Sequence, residues 1–173
     1  MAYTQYGGDI LPIEVNHFNG SGKFIITGQL GDVMKESASI ALDYMKANRE
    51  KYGLQNIAFD KEDIHIHVPE GAVKKDGPSA GVSLTTAILS AFSNRPVRDD
   101  VAMTGEITLR GQVLPIGGLK EKSISAHRSG IRKIIIPKDN AKDIDDIPKS
   151  VQADLDIVLA DHIDTVLEHA LIK

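Results

Sequence analysis

Residues 76–81 read Asp-Gly-Pro-Ser-Ala-Gly. The run from Gly77 to Asn94, which begins inside this motif, carries no charged residue. Its apolar, small and hydroxyl side chains predict a helix that is apolar on nearly all sides, and such a helix is normally buried at the centre of a domain. The run has eighteen residues, the lower limit for a membrane span. Its Gly, Pro, Ser and Thr residues make it too polar for one. We therefore expect a buried central helix.

The start of this helix is a place where chemistry could occur. Pro is favoured at the first helical position and Asp or Gly just before it, so we expect Ser79 in the first turn. Unpaired backbone N–H groups and the positive end of the helix dipole favour a developing negative charge there. A serine at this place could be a nucleophile beside an oxyanion site, or it could only cap the helix. The stretch alone leaves both interpretations open.

The bulk composition is that of an ordinary globular domain. The chain has 173 residues, of which 42% are hydrophobic and 25% charged, and this length is enough for a real core. A net charge of −4 without a basic run argues against a dedicated nucleic-acid binder. The absence of Cys excludes disulfides, thiol catalysis and zinc–thiolate sites. The first residues lack the basic and apolar regions of a signal peptide, so we expect none.

Hydrophobic periodicity and turn residues predict the remaining elements. Strands over 10–15 and 23–27 are expected to form a hairpin, and strands over 101–108 and 112–116 a second one. Further strands are predicted over 63–68, 132–137 and 155–159, helices over 31–53, 119–129 and 163–171, and a short helix or turn over 140–147. Early hairpins followed by strand–helix alternation indicate an α+β or mixed α/β fold.

A nucleophilic serine needs a base, for which histidine and lysine are the candidates. His65 and His67 share one face of a predicted strand and could chelate a metal, but no third ligand follows at a recognisable spacing; a polar strand face near a cleft is the simpler interpretation. Lys120 and Lys122 lie at a predicted helix start. On a helical wheel Lys122 lies about 60° and Lys120 about 100° from the apolar Leu119. This favours Lys122 slightly as the inward lysine, although both could be solvated.

Phosphate binding is an alternative function. Gly-rich turns that open helices can bind phosphates, and residues 77–81 and 117–119 qualify loosely. Small-molecule kinases of the galactokinase–homoserine kinase type resemble this arrangement, but their longer serine-rich phosphate loop is missing here. The Walker pattern and a G-x-G-x-x-G between strand and helix are absent as well. A shift of the melting temperature on addition of ATP would distinguish this hypothesis from a protease.

Several long motifs, in the right order, resemble those of the Lon protease proteolytic domain. The matching blocks are Pro69-Glu70-Gly71-Ala72, Lys75-Asp76-Gly77-Pro78-Ser79-Ala80-Gly81, Met103-Thr104-Gly105-Glu106-Ile107-Thr108-Leu109-Arg110-Gly111 and Val113-Leu114-Pro115-Ile116-Gly117-Gly118-Leu119-Lys120-Glu121-Lys122. The resemblance extends over nearly the whole chain. The form KDGPSAG is similar to the A-type, the branch with an ATPase module and a large N-terminal region upstream.

The resemblance implies a serine endopeptidase that uses a Ser-Lys dyad. Carried over by position, it makes Ser79 the nucleophile, Lys122 the general base and Thr104 the residue whose hydroxyl lies beside the lysine. Four further residues match positions that line the active-site region in supporting roles: Glu14, His65, His67 and Asp76.

The same resemblance implies a compact α+β domain, of the ribosomal protein S5 domain 2-like type, that spans residues 1–173 as one unit. It implies polypeptide substrates, a homo-oligomer in the form of a hexameric ring, no nucleic acid or membrane partner, and a cytoplasmic location (the mitochondrial matrix in a eukaryote). No cofactor or metal is expected in this domain, because ATP and Mg²⁺ belong to the ATPase module, which is missing here with the N-terminal region. A catalytically silent assembly module is the remaining alternative.

Overall fold

The computed structural model describes residues 1–4, 7–72 and 74–173. The elements are β1 Ala2–Thr4, β2 Gly7–Asp9, β3 Glu14–Asn19, β4 Phe24–Thr27, α1 Asp32–Ala47, β5 Glu62–His67, α2 Gly81–Ser93, β6 Val101–Met103, β7 Glu106–Ile107, β8 Val113–Leu114, α3 Leu119–Arg128, β9 Lys133–Pro137, α4 Lys149–Asp154, β10 Asp156–Ala160 and α5 Ile163–Ala170. Short 3₁₀ helices cover Phe59–Lys61 and Lys138–Asp146. Small sheets and helices mixed in this way confirm the α+β class.

Helix α2 is the buried central helix that its uncharged sequence predicts. Its apolar side chains lie in the main core, with Leu84 and Ile88 completely buried, and it packs against α1 and α5. Its buried threonines keep their hydroxyls satisfied within the helix, because Thr85 Oγ1 donates to Gly81 O (2.8 Å) and Thr86 Oγ1 to Val82 O (2.7 Å). No helix in the described part of the chain is long and apolar enough to cross a membrane.

The first sheet contradicts the predicted early hairpin. Its strand order is β3-β5-β4, so β5 lies between the two strands that were expected to pair. β3 runs antiparallel and β4 parallel to β5. The turn between β3 and β4 is held by Asp63 of β5, whose Oδ1 accepts the N–H groups of Ser21 and Lys23 at 2.9 Å each. The Gly-rich sequence between β3 and β4 therefore predicts the turn correctly, but the two strands that it joins do not pair with each other.

The second sheet places Thr104 at the end of a buried strand. Its order is β10-β9-β6, with both pairs parallel, and the N–H of Thr104 extends β6 by donating to Ile135 O at 3.1 Å. β7 and β8 then form an antiparallel hairpin of their own, which confirms the turn at Arg110-Gly111. The predicted strand 101–108 is thus two short strands, and the chain changes direction at residues 104–105.

Strand β9 separates two apolar clusters. Ile135 belongs to the main core with α1 and α2, whereas Ile134 and Ile136 belong to a second cluster with Leu119 and Ala126 of α3. This alternation follows from the two-residue period of a strand. Helix α4, which the sequence reading did not anticipate, closes the second cluster. The packing brings the start of α3 to the end of β6.

Candidate active site

Ser79 lies in a tight turn that leads into α2. The helix begins at Gly81, so the prediction that Ser79 occupies its first turn is wrong by two residues. The turn is closed by Gly81 N, which donates to Pro78 O at 3.2 Å. The turn is also bound to Gly105, which lies between β6 and β7. Gly105 N donates to Ser79 O (2.8 Å), and Val82 N donates to Gly105 O (3.1 Å).

Gly81 allows the start of α2 to approach β7. A Cβ at this position would lie 2.8 Å from both the backbone N and the Cγ2 of Ile107, closer than real Cβ atoms come to such neighbours. Every other residue would push the turn away from β7. The glycine of the Pro-Ser-Ala-Gly motif therefore sets the position of Ser79 relative to residues 104–107.

Lys122 is a buried lysine in the first turns of α3. It is 3% exposed, whereas Lys120 is exposed, which is the arrangement the helical wheel favoured. Its Nζ donates to the hydroxyl of Thr104 at 3.2 Å. Burial lowers the pKa of Lys122 from its ordinary value of 10.5 to about 8, because a cation is disfavoured in a poorly solvated place.

Among the described residues, the hydrogen-bond partner of the Lys122 amine is the neutral hydroxyl of Thr104 and not a carboxylate. None of the ion pairs among the described residues includes Lys122.

Thr104 connects the lysine to the serine. Its Oγ1 accepts from Lys122 Nζ and donates to the carbonyl of Ser79 at 3.5 Å. No hydrogen bond joins Ser79 Oγ directly to Lys122 Nζ in the part of the chain that the structure describes. Catalytic hydrogen bonds are often long in an enzyme without substrate and shorten in the complex. The geometry thus brings Ser79, Thr104 and Lys122 into one site through Thr104.

Two backbone amides beside Ser79 are available to an anion. The amide of Gly77 is occupied, since it donates to Asp76 Oδ1 at 2.8 Å, and Pro78 has none. Among the described residues, the amides of Ser79 and Ala80 donate to no protein group. This arrangement narrows the candidate oxyanion donors from residues 77–80 to the amides of Ser79 and Ala80.

Comparison with known proteins identifies the family. The sequence profile of the Lon protease (S16) C-terminal proteolytic domain matches residues 1–173. The chain belongs to this family. It is 63% identical over 168 residues to a Lon protease of Mycoplasma mycoides subsp. mycoides SC, covering 97% of the chain and 21% of the relative.

Other curated relatives give the same result. The chain is 60% identical over 172 residues to a Lon protease of Bacillus thuringiensis and 59% identical over 172 residues to Lon protease 1 of Bacillus subtilis, each match covering 99% of the chain and 22% of the relative. The chain therefore spans about a fifth of the length of the Lon proteases it matches.

In this Lon-family domain Asp76 binds the turn that carries Ser79 (residues 76–81, called the serine turn below) to the start of α1. Its exposed carboxylate does not contact Lys122 or Thr104; its Oδ1 accepts the N–H of Met34 at 2.9 Å and the N–H of Gly77 at 2.8 Å. The backbone donors of Met34, Gly77 and Val33 hold the pKa of Asp76 below its ordinary value.

His65, His67 and Glu14 form a separate polar face on the first sheet. Thr27 Oγ1 lies between the histidines, 2.8 Å from His65 Nε2 and 2.7 Å from His67 Nδ1, and Glu14 is paired with His67 across β3 and β5. Ile64 and Ile66 occupy the opposite, buried face, as their alternation predicts. Among the described residues, none of the three hydrogen-bonds to the Ser79 site, and no group of three or more acidic or histidine side chains is arranged to hold a metal.

Lys75 is a buried residue that the sequence reading missed. It is 7% exposed, and its Nζ donates to Gly28 O (2.9 Å) and Glu70 O (2.5 Å). It lines a cleft of about 390 Å³ beside Asp76 and Gly31. A lysine next to another lysine and an aspartate is typical of a solvated loop, so the local sequence contains no signal of its burial.

Proposed function

We propose that this chain is the proteolytic part of an A-type Lon serine endopeptidase, with Ser79 as the nucleophile and Lys122 as the general base. The observation that carries the proposal is the buried amine of Lys122, which is held by the hydroxyl of Thr104, 3.2 Å away. The same hydroxyl contacts the carbonyl of Ser79. A base whose amine is oriented by a third group, close to the residue that carries the nucleophile, is one part of the arrangement expected of covalent catalysis.

The lowered pKa of Lys122 makes a base role feasible. A lysine with a pKa near 10.4 is neutral in only about one molecule in 2,500 at pH 7. With a pKa of about 8, about a tenth of the molecules carry the neutral amine at pH 7. Burial therefore raises the population of the reactive form by more than two orders of magnitude.

The reaction proceeds through an acyl-enzyme. Neutral Lys122 accepts the proton of Ser79 Oγ while the oxygen bonds to the scissile carbonyl carbon, and the amides of Ser79 and Ala80 stabilise the resulting oxyanion. The lysine ammonium then gives its proton to the leaving amine as the C–N bond breaks. In the second half, Lys122 takes a proton from water, the hydroxide attacks the ester, and the proton returns to Ser79.

The activity of the whole protein requires parts outside this chain. The matched Lon proteases are about five times as long as this chain, a difference long enough to hold the ATPase module and the N-terminal region that would unfold and select substrates. We propose that residues 1–173 form one domain without a cofactor of its own, that ATP and Mg²⁺ bind the ATPase module, and that six copies form a ring. Unfolded or damaged polypeptides in the cytoplasm are the proposed substrates, with no nucleic acid or membrane partner for this domain.

A fluorogenic peptide assay tests the proposal. Ser79→Ala should abolish hydrolysis while the fold is retained, because the side chain is only half-buried. Ser83→Ala, which removes a hydroxyl one turn further along the same segment, is the matched control and should keep full activity. Hydrolysis by Ser79→Ala near the wild-type rate would refute the nucleophile assignment.

Covalent labelling separates the protease from a silent assembly module. A serine-directed fluorophosphonate should label the wild type at Ser79 and fail to label Ser79→Ala. Oligomer formation without labelling would support the silent module instead. A melting temperature raised by ATP would support the phosphate-binding alternative, which the family match does not favour.

A further inference from the structure

The N-terminus of α1 is capped by a residue from the serine turn. Gly31, the N-cap residue, has no side chain that could accept a hydrogen bond. Asp76 Oδ1 supplies the missing acceptor and binds the N–H of Met34, the third residue of α1, from 42 positions further along the chain. An N-cap acceptor normally satisfies this same amide from within the helix's own sequence, so the long-range cap fixes α1 to the segment that carries Ser79.

The space at Gly31 is occupied by the carboxylate. A Cβ at Gly31 would lie 2.3 Å from the carboxyl carbon of Asp76, so a side chain on residue 31 and the carboxylate exclude each other. The backbone strengthens the junction, because Gly31 N donates to Lys75 O (2.7 Å) and Lys75 N donates to Gln29 O (3.0 Å). Residues 29–34 and 75–77 therefore form one fixed unit.

Ser79 lies between this unit and the catalytic side of the site. On the opposite side its carbonyl is held by Gly105 N at 2.8 Å, next to Thr104. Only Gly77 and Pro78 separate Ser79 from Asp76, so a movement of the carboxylate is transmitted to the serine. By accepting the amide of Gly77, Asp76 also leaves the amides of Ser79 and Ala80 as the free donors.

We infer that Asp76 is a positioning residue, which sets the orientation of Ser79 by capping α1 and acts through its hydrogen-bond geometry rather than through contact with substrate. This inference rests on the proposed peptidase function. Removing the cap should lower kcat, because a displacement of about 1 Å at a reacting group can reduce the rate about a hundredfold. KM should change little, since no substrate contact is removed.

The chain contains a matched control with the same construction. Asp63 Oδ1 accepts the amides of Ser21 and Lys23 at 2.9 Å each, and a Cβ at Gly20 would lie 2.2 Å from its carboxyl carbon. This second carboxylate belongs to β5 and binds the turn between β3 and β4. Asp63→Ala and Gly20→Ala therefore cause the same kind of local damage at a place that does not position Ser79.

The experiment compares kcat, KM and melting temperature across these variants, with a fluorogenic peptide as the substrate. Asp76→Ala and Gly31→Ala should lose about ten- to a hundredfold in kcat, whereas Asp63→Ala and Gly20→Ala should lose less than about twofold for a similar fall in melting temperature. Asp76→Asn, whose amide oxygen accepts the same two amides, should keep most of the activity. If Asp76→Ala does not fold, the comparison of kcat between Gly31→Ala and Gly20→Ala tests the inference in its place.

Two results would overturn the inference. One is a kcat for Asp76→Ala no lower than that for Asp63→Ala; the other is Asp76→Asn as impaired as Asp76→Ala, which would assign the effect to negative charge. Failure of the underlying function is recognised separately, because hydrolysis by the wild type would then persist in Ser79→Ala.

Discussion

Lys75 and Lys122 are the two buried lysines among the described residues, at 7% and 3% exposed, and their amines have different surroundings. The amine of Lys75 donates to the carbonyl oxygens of Gly28 and Glu70. The amine of Lys122 has the neutral hydroxyl of Thr104 as its hydrogen-bond partner.

The difference shows that the acceptors around a buried lysine, and not burial alone, indicate what it can do. The side chain of Lys75 joins two segments of the chain, because its Nζ donates to the carbonyl oxygens of Gly28 and Glu70. Burial lowers the pKa of Lys122 to about 8, and its amine is held by one neutral hydroxyl, that of Thr104. The same residue type therefore has a structural role at position 75, where it joins two loops, and is a candidate base at position 122.

Replacing Lys122 should have the largest effect. Lys122→Arg and Lys122→Met should each reduce peptide hydrolysis by about 10²- to 10⁴-fold, the usual contribution of a general base. Arginine cannot act as the base because its guanidinium stays charged. Initial rates on a fluorogenic peptide measure the effect, and the exposed Lys120→Met, two residues away, should keep substantial activity.

Two outcomes would contradict this assignment: an active Lys122→Arg, or an inactive Lys120→Met beside an active Lys122→Met.

The pH dependence of kcat/KM in the wild type tests the same assignment. Because the pKa of Lys122 is about 8 and the neutral form is the base, kcat/KM should rise with pH through a midpoint near that value. A profile that is flat between pH 6 and pH 9 would contradict a lysine base.

The stability of Lys122→Met gives a test that does not use activity. Below pH 8 the lysine is protonated in both the folded and the unfolded chain, and burying the charge lowers the free energy of unfolding by about 3 kcal/mol. Between pH 8 and the ordinary value of 10.5 the unfolded chain binds more protons, so the stability of the wild type rises with pH. The variant has no such penalty.

Urea denaturation of both proteins measures this difference. At pH 7 Lys122→Met should be more stable than the wild type, by up to about 3 kcal/mol less the lost hydrogen bond of about 1 kcal/mol. The advantage should shrink as the pH approaches 10.5. Other titrating groups cancel in the difference. An advantage that is the same at pH 7 and pH 10 would show that the charge of Lys122 is not the cause.

Lys75→Met should change stability in the opposite direction. Removing the amine leaves the carbonyl oxygens of Gly28 and Glu70 without this donor, and an unsatisfied buried acceptor costs about 1–3 kcal/mol. We expect a loss of about 2 kcal/mol in urea denaturation, with the exposed neighbour Lys74→Met as the matched control near zero. A Lys75→Met protein as stable as the wild type would remove the contrast between the two lysines.

The parts of this molecule that sequence predicts well are those in which neighbours along the chain carry the signal. The uncharged run gives α2, strict alternation gives β5 with Ile64 and Ile66 inward, and the helical wheel turns Lys122 towards the core. The motif blocks give the family. In each case the periodicity of one element, or a local motif, contains the information.

The features of the fold that the sequence does not predict depend on residues far apart along the chain. β5 enters between β3 and β4 because tertiary packing decides strand order, while a turn signal reports only the turn. α2 starts at Gly81, where Ser79 O and Val82 N are both hydrogen-bonded to the backbone of the distant Gly105. The cap of α1 by Asp76 and the burial of Lys75 likewise join segments tens of residues apart, and no local pattern marks them.

Thr104→Val is the smallest change and tests the link between the two halves of the site. Valine keeps the shape but removes the hydroxyl that accepts from Lys122 Nζ at 3.2 Å. A neutral hydrogen bond contributes about 1 kcal/mol, so kcat should fall about fivefold. Thr86→Val is the matched control, because Thr86 is equally buried but its hydroxyl donates to Val82 O within α2 (2.7 Å) and to Met103 Sδ (3.5 Å), not to a partner of Lys122. It should lower stability without this loss of kcat. Full activity in Thr104→Val would mean that packing alone orients Lys122. A loss as large as that of Lys122→Met would instead mean that the hydroxyl takes part in the proton transfer itself.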